Sequence, residues 1–295
     1  MGKHRDSRLP TFVLAGAPRC GTTSVYHMLN SNPEVFLPEK KELWFFYTES
    51  EWLRGVDWYA DCFSGHGGAK AVGEATPLYF CDPKAVRRMA KLIPDLKILL
   101  VLRNPIERLS SHYWFNVRKS KEPLEMEEAV EAELSDKRPW KLDKGALNYV
   151  GIGLYDTHIR RLWKAFSPAQ VHVIIIEEIV ADPNRVFEGL WGFLGVAPMG
   201  LPTAPKKNEG QWLSKEAADS LYRDAGVKRA LSAILPESAK APLRRVRDKL
   251  VLRGSSPDMP DSLRERLEAV YAPSIAALEK LLGRDLSVWR SQGDW

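Results

Sequence analysis

The chain has 295 residues, 44% of them hydrophobic and 27% charged, which suffices to bury a full core and excludes a disordered, collagenous or repeat protein. A formal charge of +5 suits an anionic ligand, but the basic residues are interspersed with 38 acids, so nucleic acid is not expected as a partner. Cys20, Cys62 and Cys81 are too few for a disulfide framework and form no CxxC pair, which fits a reducing, cytoplasmic setting and speaks against a metal site.

No window holds the roughly 18 apolar residues of a membrane span, and the apolar run at Phe12 to Ala17 is too short for a secretory leader. In chain order, Thr11 to Ala17 reads as a short buried strand, and Gly21 to Asn30 as a helix opening on Thr22, Thr23 and Ser24. The turn between them, Gly16-Ala17-Pro18-Arg19-Cys20-Gly21, has the glycine spacing of a P-loop, yet Thr22 stands where a nucleoside triphosphatase has lysine. It is therefore expected to bind phosphate without transferring a γ-phosphate. Backbone N–H groups at the helix start, the three hydroxyls and Arg19 would form the anion site, with an ordinary capped glycine turn as the alternative.

Asn32-Pro33 ends that helix, Val35 to Leu37 suits a short strand, Pro38 to Glu42 is a polar loop, and Leu43-Trp44-Phe45-Phe46-Tyr47 returns to apolar character. Ala71 to Thr76 reads as a strand with a polar tip, followed by a helix from Pro83 to Leu92. Lys97 to Leu102 (KILLVL) is a near-continuous apolar run, the mark of a parallel strand covered on both faces. It ends at Arg103-Asn104-Pro105, where Pro105 suits the first turn of another helix. A surface helix from about Pro123 to Leu134, a helix from about Leu154 to Phe166, a strand from Val171 to Ile176 and a long loop from Pro198 to Gly210 follow. Ser214 to Leu282 alternates helix-like stretches with proline breaks. The basic cluster Arg244-Arg245-Val246-Arg247 with Lys249 reads as a solvated helix face.

Strands alternating with helices imply an α/β fold with a central, mainly parallel sheet and a helical C-terminal portion. A single domain is expected: a flexible N-terminus at 1–10, an α/β core at 11–195, and a loop with helices at 196–295. In open parallel sheets ligands bind beyond the carboxyl ends of the strands. That rule selects Ala17 to Ser24, Glu74 to Pro77 and Arg103 to Ser111. Arg103 at a strand tip and Ser111, eight positions or about two helical turns later, can pinch a second phosphate; a pairing of Arg103 with Glu107 is the plain alternative.

These stretches resemble the sulfotransferases that use 3′-phosphoadenosine 5′-phosphosulfate (PAPS). Gly16 to Ser24 is similar to the family's 5′-phosphosulfate loop, Leu102-Arg103-Asn104-Pro105 through Ser111 to its 3′-phosphate motif, and Lys40-Lys41-Glu42-Leu43-Trp44-Phe45-Phe46 to its catalytic segment. The resemblance runs from residue 11 to 195 and implies a P-loop-like fold. It implies Glu42 as general base and Arg19 as the cation on the leaving phosphate. Arg19, Cys20, Gly21, Thr22, Thr23, Ser24, Arg103 and Ser111 would bind the cofactor, and Lys206, Lys207 and Asn208 would close over the 3′-phosphate. Trp44, Phe46, Thr76 and Tyr79 would meet the acceptor. Lys41 is a second candidate for charge stabilisation or a solvated lysine, Tyr155 either approaches the adenine or packs, and His112 is read as a packing residue.

Two departures stand out: Ala75 where many relatives have lysine, and Trp44 where some have histidine. Both point away from a heparan-type acceptor toward an aromatic or glycosylated small molecule, with sulfated acceptor and adenosine 3′,5′-bisphosphate (PAP) as products. A carbohydrate acceptor, a nucleotide kinase and a nonenzymatic nucleic-acid binder are the rival readings. A homodimer stays open.

Overall fold

The computed structural model describes residues 8–119, 121–135, 147–200 and 258–290. They fall into two compact units, one of residues 8–109, 151–200 and 266–290, the other of 110–119, 121–135, 147–150 and 258–265.

The first unit is built on a parallel five-stranded sheet. Its strands are β1 (Phe12–Gly16), β2 (Val35–Phe36), β3 (Ala71–Ala75), β4 (Lys97–Leu102) and β5 (Val171–Ile175), in the order β2-β3-β1-β4-β5. Every residue of β1 and β3 is buried, as is all of β4 beyond Lys97, because parallel strands flanked by crossover helices meet protein on both faces. Lys97 is the polar exception. Its ammonium donates to the carbonyls of Phe193 and Leu194, at 2.7 and 3.3 Å, where a helix ends and its last carbonyls lack amide partners.

Phe12 lies opposite Gly73 in the β1–β3 register, and a Cβ on Gly73 would sit 2.4 Å from the Phe12 ring. Gly73→Ala should therefore destabilise the protein by about 1–3 kcal/mol through overpacking. Urea unfolding checks this, with a lowered midpoint at unchanged slope as the expected result.

The helices are α1 (Thr22–Asn30), α2 (Glu49–Trp52), α3 (Gly55–Asp61), α4 (Pro83–Leu92), α5 (Pro105–Arg118), α6 (Met126–Leu134), α7 (Tyr155–Trp163), α8 (Ile176–Ala181), α9 (Pro183–Leu194) and α10 (Asp261–Leu282). Pro83 and Pro183 occupy first-turn positions behind Asp82 and Asp182, whose carboxylates accept the amides of Lys84 and Arg185. Three larger departures from expectation stand out. Ile176, expected to close a strand, instead opens α8, because the apolar run passes into Glu177-Glu178 with no glycine or proline to mark the change. The short helices α2 and α3 lie in a segment where sequence periodicity gave none. Finally, α10 continues through Pro273 although prolines were expected to break this region, and it stops at Gly283 with φ of 59°.

In the second unit, the α6 turn is a capping box between Glu125 and Glu128. Glu133 accepts the amides of Tyr149 and Val150, while Glu122 accepts the Tyr149 hydroxyl at 2.7 Å. His112 is buried edge-on against the Tyr149 ring, in keeping with a packing role. Among the described residues, no helix is long and apolar enough to cross a membrane, and no group of three His, Cys, Asp or Glu could hold a metal ion.

Candidate active site

At the end of β1, the pairing with β4 shifts register between Leu14 and Gly16, and Phe80 presses on the chain there. A Cβ on Gly16 would stand 2.5 Å from Phe80 Cβ. The loop then turns through Arg19 at φ 68° and reaches Gly21, the α1 N-cap, at φ 84°. Gly21 is doubly constrained, since a Cβ would also meet Ile176 Cδ1 at 2.8 Å. Being glycine, it offers no side-chain cap to the α1 amides, which leaves the first turn suited to an external anion. Thr23 is exposed and Ser24 half-buried at that turn, whereas Thr22 is buried.

A lysine and a glutamate lie beside this loop. Lys41 Nζ donates to Thr23 Oγ1 at 3.0 Å and stands 3.4 Å from Glu42 Oε1. Its side chain is only 20% exposed, so this is a docked cation and not a solvated one. Glu42 itself is partly exposed and has φ of 65°, and Trp44 has φ of 60°. Such left-handed backbone at non-glycine residues persists only where surrounding structure over-determines it.

That structure is the end of β3. The Glu42 amide donates to the Ala75 carbonyl at 3.1 Å, the Trp44 amide to Thr76 Oγ1 at 3.5 Å, and the Phe46 amide to the Tyr79 hydroxyl at 3.3 Å. Behind them is Glu74, buried on the strand. Its Oε2 accepts Thr76 Oγ1 at 2.7 Å, and its Oε1 accepts Tyr59 at 2.8 Å and Tyr79 at 3.0 Å. Burial pushes the Glu74 carboxyl above the usual range, while these hydroxyls and the nearby Leu43 amide favour its charged form.

The tip of β4 is fixed as firmly. The Tyr155 hydroxyl donates to the Arg103 carbonyl at 3.0 Å and lies 3.5 Å from Cys20 Sγ, tying this tip to the loop after β1. Buried Glu177 accepts the Asn104 amide at 2.9 Å and the Trp289 indole N–H at 3.1 Å, and Asn104 Nδ2 donates to the Trp289 carbonyl at 2.8 Å. Asn104 Oδ1 accepts the Ile106 amide and so caps α5. The Arg103 guanidinium is part-exposed, with Glu107 at 3.9 Å.

The chain as a whole has relatives among known proteins. Residues 9–207 match the sulfotransferase domain family. The chain belongs to the sulfotransferase family. A crystal structure of a sulfotransferase from Alicyclobacillus acidocaldarius superposes with a TM-score of 0.70 at 31% identity, covering 96% of this chain and 99% of that one. A membrane-associated sulfotransferase, kil1, of Dictyostelium discoideum is 35% identical over 124 residues, 40% of this chain and 26% of its own length. Human bifunctional heparan sulfate N-deacetylase/N-sulfotransferase 3 is 29% identical over 213 residues, 66% of this chain and 24% of its own. The chain thus spans about a quarter of the length of these two curated relatives.

With the sulfotransferase fold in place, the sequence-derived residues sort by position. Arg19, Gly21, Thr23, Ser24, Lys41 and Glu42 come together where β1 and β3 end. Arg103 lies at the tip of the neighbouring β4, and Ser111, half-buried on α5, belongs to the second unit. Cys20 is fully buried, which pushes its thiol up to about 11 despite the Tyr155 contact; it packs beneath the loop, and only its backbone is left to meet a ligand. Phe46, Thr76 and Tyr79 have no accessible surface, so the expectation that they touch the acceptor is corrected. Phe46 lies among the rings of Phe45, Trp52, Tyr59 and Tyr79, and the two hydroxyls are committed to Glu74. Trp44, of intermediate exposure, is the one of the four with accessible surface.

Tyr155 is buried against Trp289, in keeping with packing. Lys206, Lys207, Asn208 and the cluster at Arg244 to Lys249 lie outside the described residues. Sequence reasoning missed Arg108, whose fully buried guanidinium adds positive charge near Cys20, Cys81 and Tyr155. It also missed Glu177 and Trp289, which hold Asn104, the residue after Arg103, from distant parts of the chain.

Proposed function

We propose that the protein transfers a sulfuryl group from PAPS to a hydroxyl of a small-molecule acceptor, aromatic or glycosylated, and releases PAP. The observation that supports this most is the carboxylate of Glu42, part-exposed on a left-handed backbone and linked through Lys41 to a hydroxyl of the anion-binding turn. The site suits a phosphosulfate: a helix start without a side-chain cap and two nearby cations, with no lysine at the position a γ-phosphate needs.

In this reading Glu42 takes the acceptor's proton as the acceptor oxygen bonds to sulfur. The α1 amides, Thr22, Thr23, Ser24 and Arg19 receive the charge that develops on the bridging oxygen as the bond from sulfur to the 5′-phosphate breaks. Lys41 holds Glu42 and Thr23 in mutual register. Arg103 and Ser111 are assigned to the 3′-phosphate on the sequence motif, and Lys206, Lys207 and Asn208 to its cover. Trp44 offers the acceptor a flat apolar face. A sugar ring would stack on the same indole, and the relative named for heparan sulfate N-sulfotransfer supports a carbohydrate acceptor as the second reading.

Calorimetry tests the donor. PAP should bind at least about tenfold more tightly than ATP with magnesium, a difference of about 1.4 kcal/mol. The reverse preference would overturn the assignment in favour of a kinase. A screen with labelled PAPS against phenols, glycosides and oligosaccharides then separates the acceptor readings.

A further inference from the structure

We propose that Glu74 is a positioning residue for Glu42, acting through two hydroxyl relays that hold the backbone of the catalytic segment. The assignment rests on the reading of Glu42 as base, which Glu74 does not itself touch.

The argument is one of proton direction. An ionised carboxylate only accepts hydrogen bonds, whereas a hydroxyl has one proton to donate and lone pairs to accept. Thr76 spends its proton on Glu74 Oε2 and Tyr79 on Glu74 Oε1. Each hydroxyl must then present a lone pair outward, and the amides of Trp44 and Phe46 occupy those directions. Tyr59 fills the remaining approach to Oε1. Two alternate amides of the loop are thus oriented by one buried group, and the Glu42 amide is held by the carbonyl of Ala75, the residue after Glu74. The left-handed residues Glu42 and Trp44 fall within this clamped stretch.

The substitution Glu74→Gln keeps the shape but makes one of the two atoms a donor. The hydroxyl facing that atom can then only accept from it, so its proton loses the buried acceptor that oriented it, and the lone pair held toward the loop amide is no longer fixed. Hydrogen exchange on the full-length chain reads this directly. In Glu74→Gln, the Trp44 or Phe46 amide should exchange about tenfold faster or more, with amides of β1 and β4 unchanged. Turnover of PAPS with an acceptor from the screen should fall about a hundredfold at a KM for PAPS altered less than about threefold, and PAP affinity should hold within the same margin.

Unchanged exchange at both amides together with normal turnover would overturn the proposal. So would faster exchange spread evenly over β1 and β4 with a matching loss of activity, the signature of general destabilisation. If Glu74→Gln does not fold, Thr76→Val and Tyr79→Phe remove one relay each. The first should release the Trp44 amide and the second the Phe46 amide, and protection of both in both variants would be an equally negative result. The two failures are distinguishable. Full activity of Glu42→Gln sinks the base and this assignment with it, whereas an inactive Glu42→Gln beside a normal Glu74→Gln sinks the positioning role alone.

Discussion

Replacing Glu42 by glutamine is expected to lower sulfuryl transfer by about 10²–10⁴-fold while PAP binds as it does to the unaltered protein. Glutamine has the size of glutamate, and the bond from the residue 42 amide to the Ala75 carbonyl involves only backbone, so the loop keeps its course. Lys41 keeps its bond to Thr23 and can still approach the amide oxygen. What disappears is the ability to take up a proton as the acceptor oxygen attacks. Initial rates with labelled PAPS and calorimetry with PAP on the same preparation separate the two properties. Activity within about threefold of the original would remove Glu42 from the proton-transfer role, since general-base catalysis is worth far more than that. A parallel loss of PAP affinity would point instead to a disturbed loop.

The frame was legible in the sequence where one physical demand dominated. β1 and β4 are covered on both faces, and their apolar runs report that burial directly, whereas β3 reads in sequence as ending in a polar tip and the burial of its Glu74 is seen only in the fold. The loop after β1 could be read because glycines at 16 and 21 answer local steric needs, a close approach of Phe80 and a left-handed N-cap against Ile176. The site was less legible because its decisive features are tertiary. Glu42 and Trp44 adopt left-handed backbone without being glycine or asparagine, and the cause lies in hydrogen bonds to residues 75 and 76. Thr76 and Tyr79 have the chemistry of acceptor contacts, yet sequence tells side-chain type and not direction, and both point inward to Glu74. Lys41 looks like one more surface lysine until Thr23 is found 3.0 Å away. Trp289, near the end of the chain, reaches Asn104 and Glu177 through partners that no local pattern could announce.

Arg103→Met should weaken PAP by about 10- to 100-fold and leave adenosine 5′-monophosphate, which differs from PAP only in lacking the 3′-phosphate, bound as before. A charge-assisted hydrogen bond contributes about 1.5–3 kcal/mol, and that sets the range. The structure makes the comparison clean, because the strand tip does not depend on the guanidinium. The Arg103 carbonyl is held by Tyr155, and the next residue is fixed by Glu177 and Trp289, so methionine replaces the charged head while the backbone keeps its anchors. The existing ion pair with Glu107 is long, at 3.9 Å, and both groups are part-exposed, so solvent screens it and a phosphate can displace it. Glu107, relieved of its neighbour, remains at the first turn of α5, where the helix dipole favours a negative charge. Calorimetry with the two nucleotides on both proteins closes a thermodynamic cycle. A coupling of about tenfold or more between Arg103 and the 3′-phosphate assigns the residue to that group. Equal losses for both nucleotides would show that Arg103 acts through the general field of the site, and the 3′-phosphate would then need another partner.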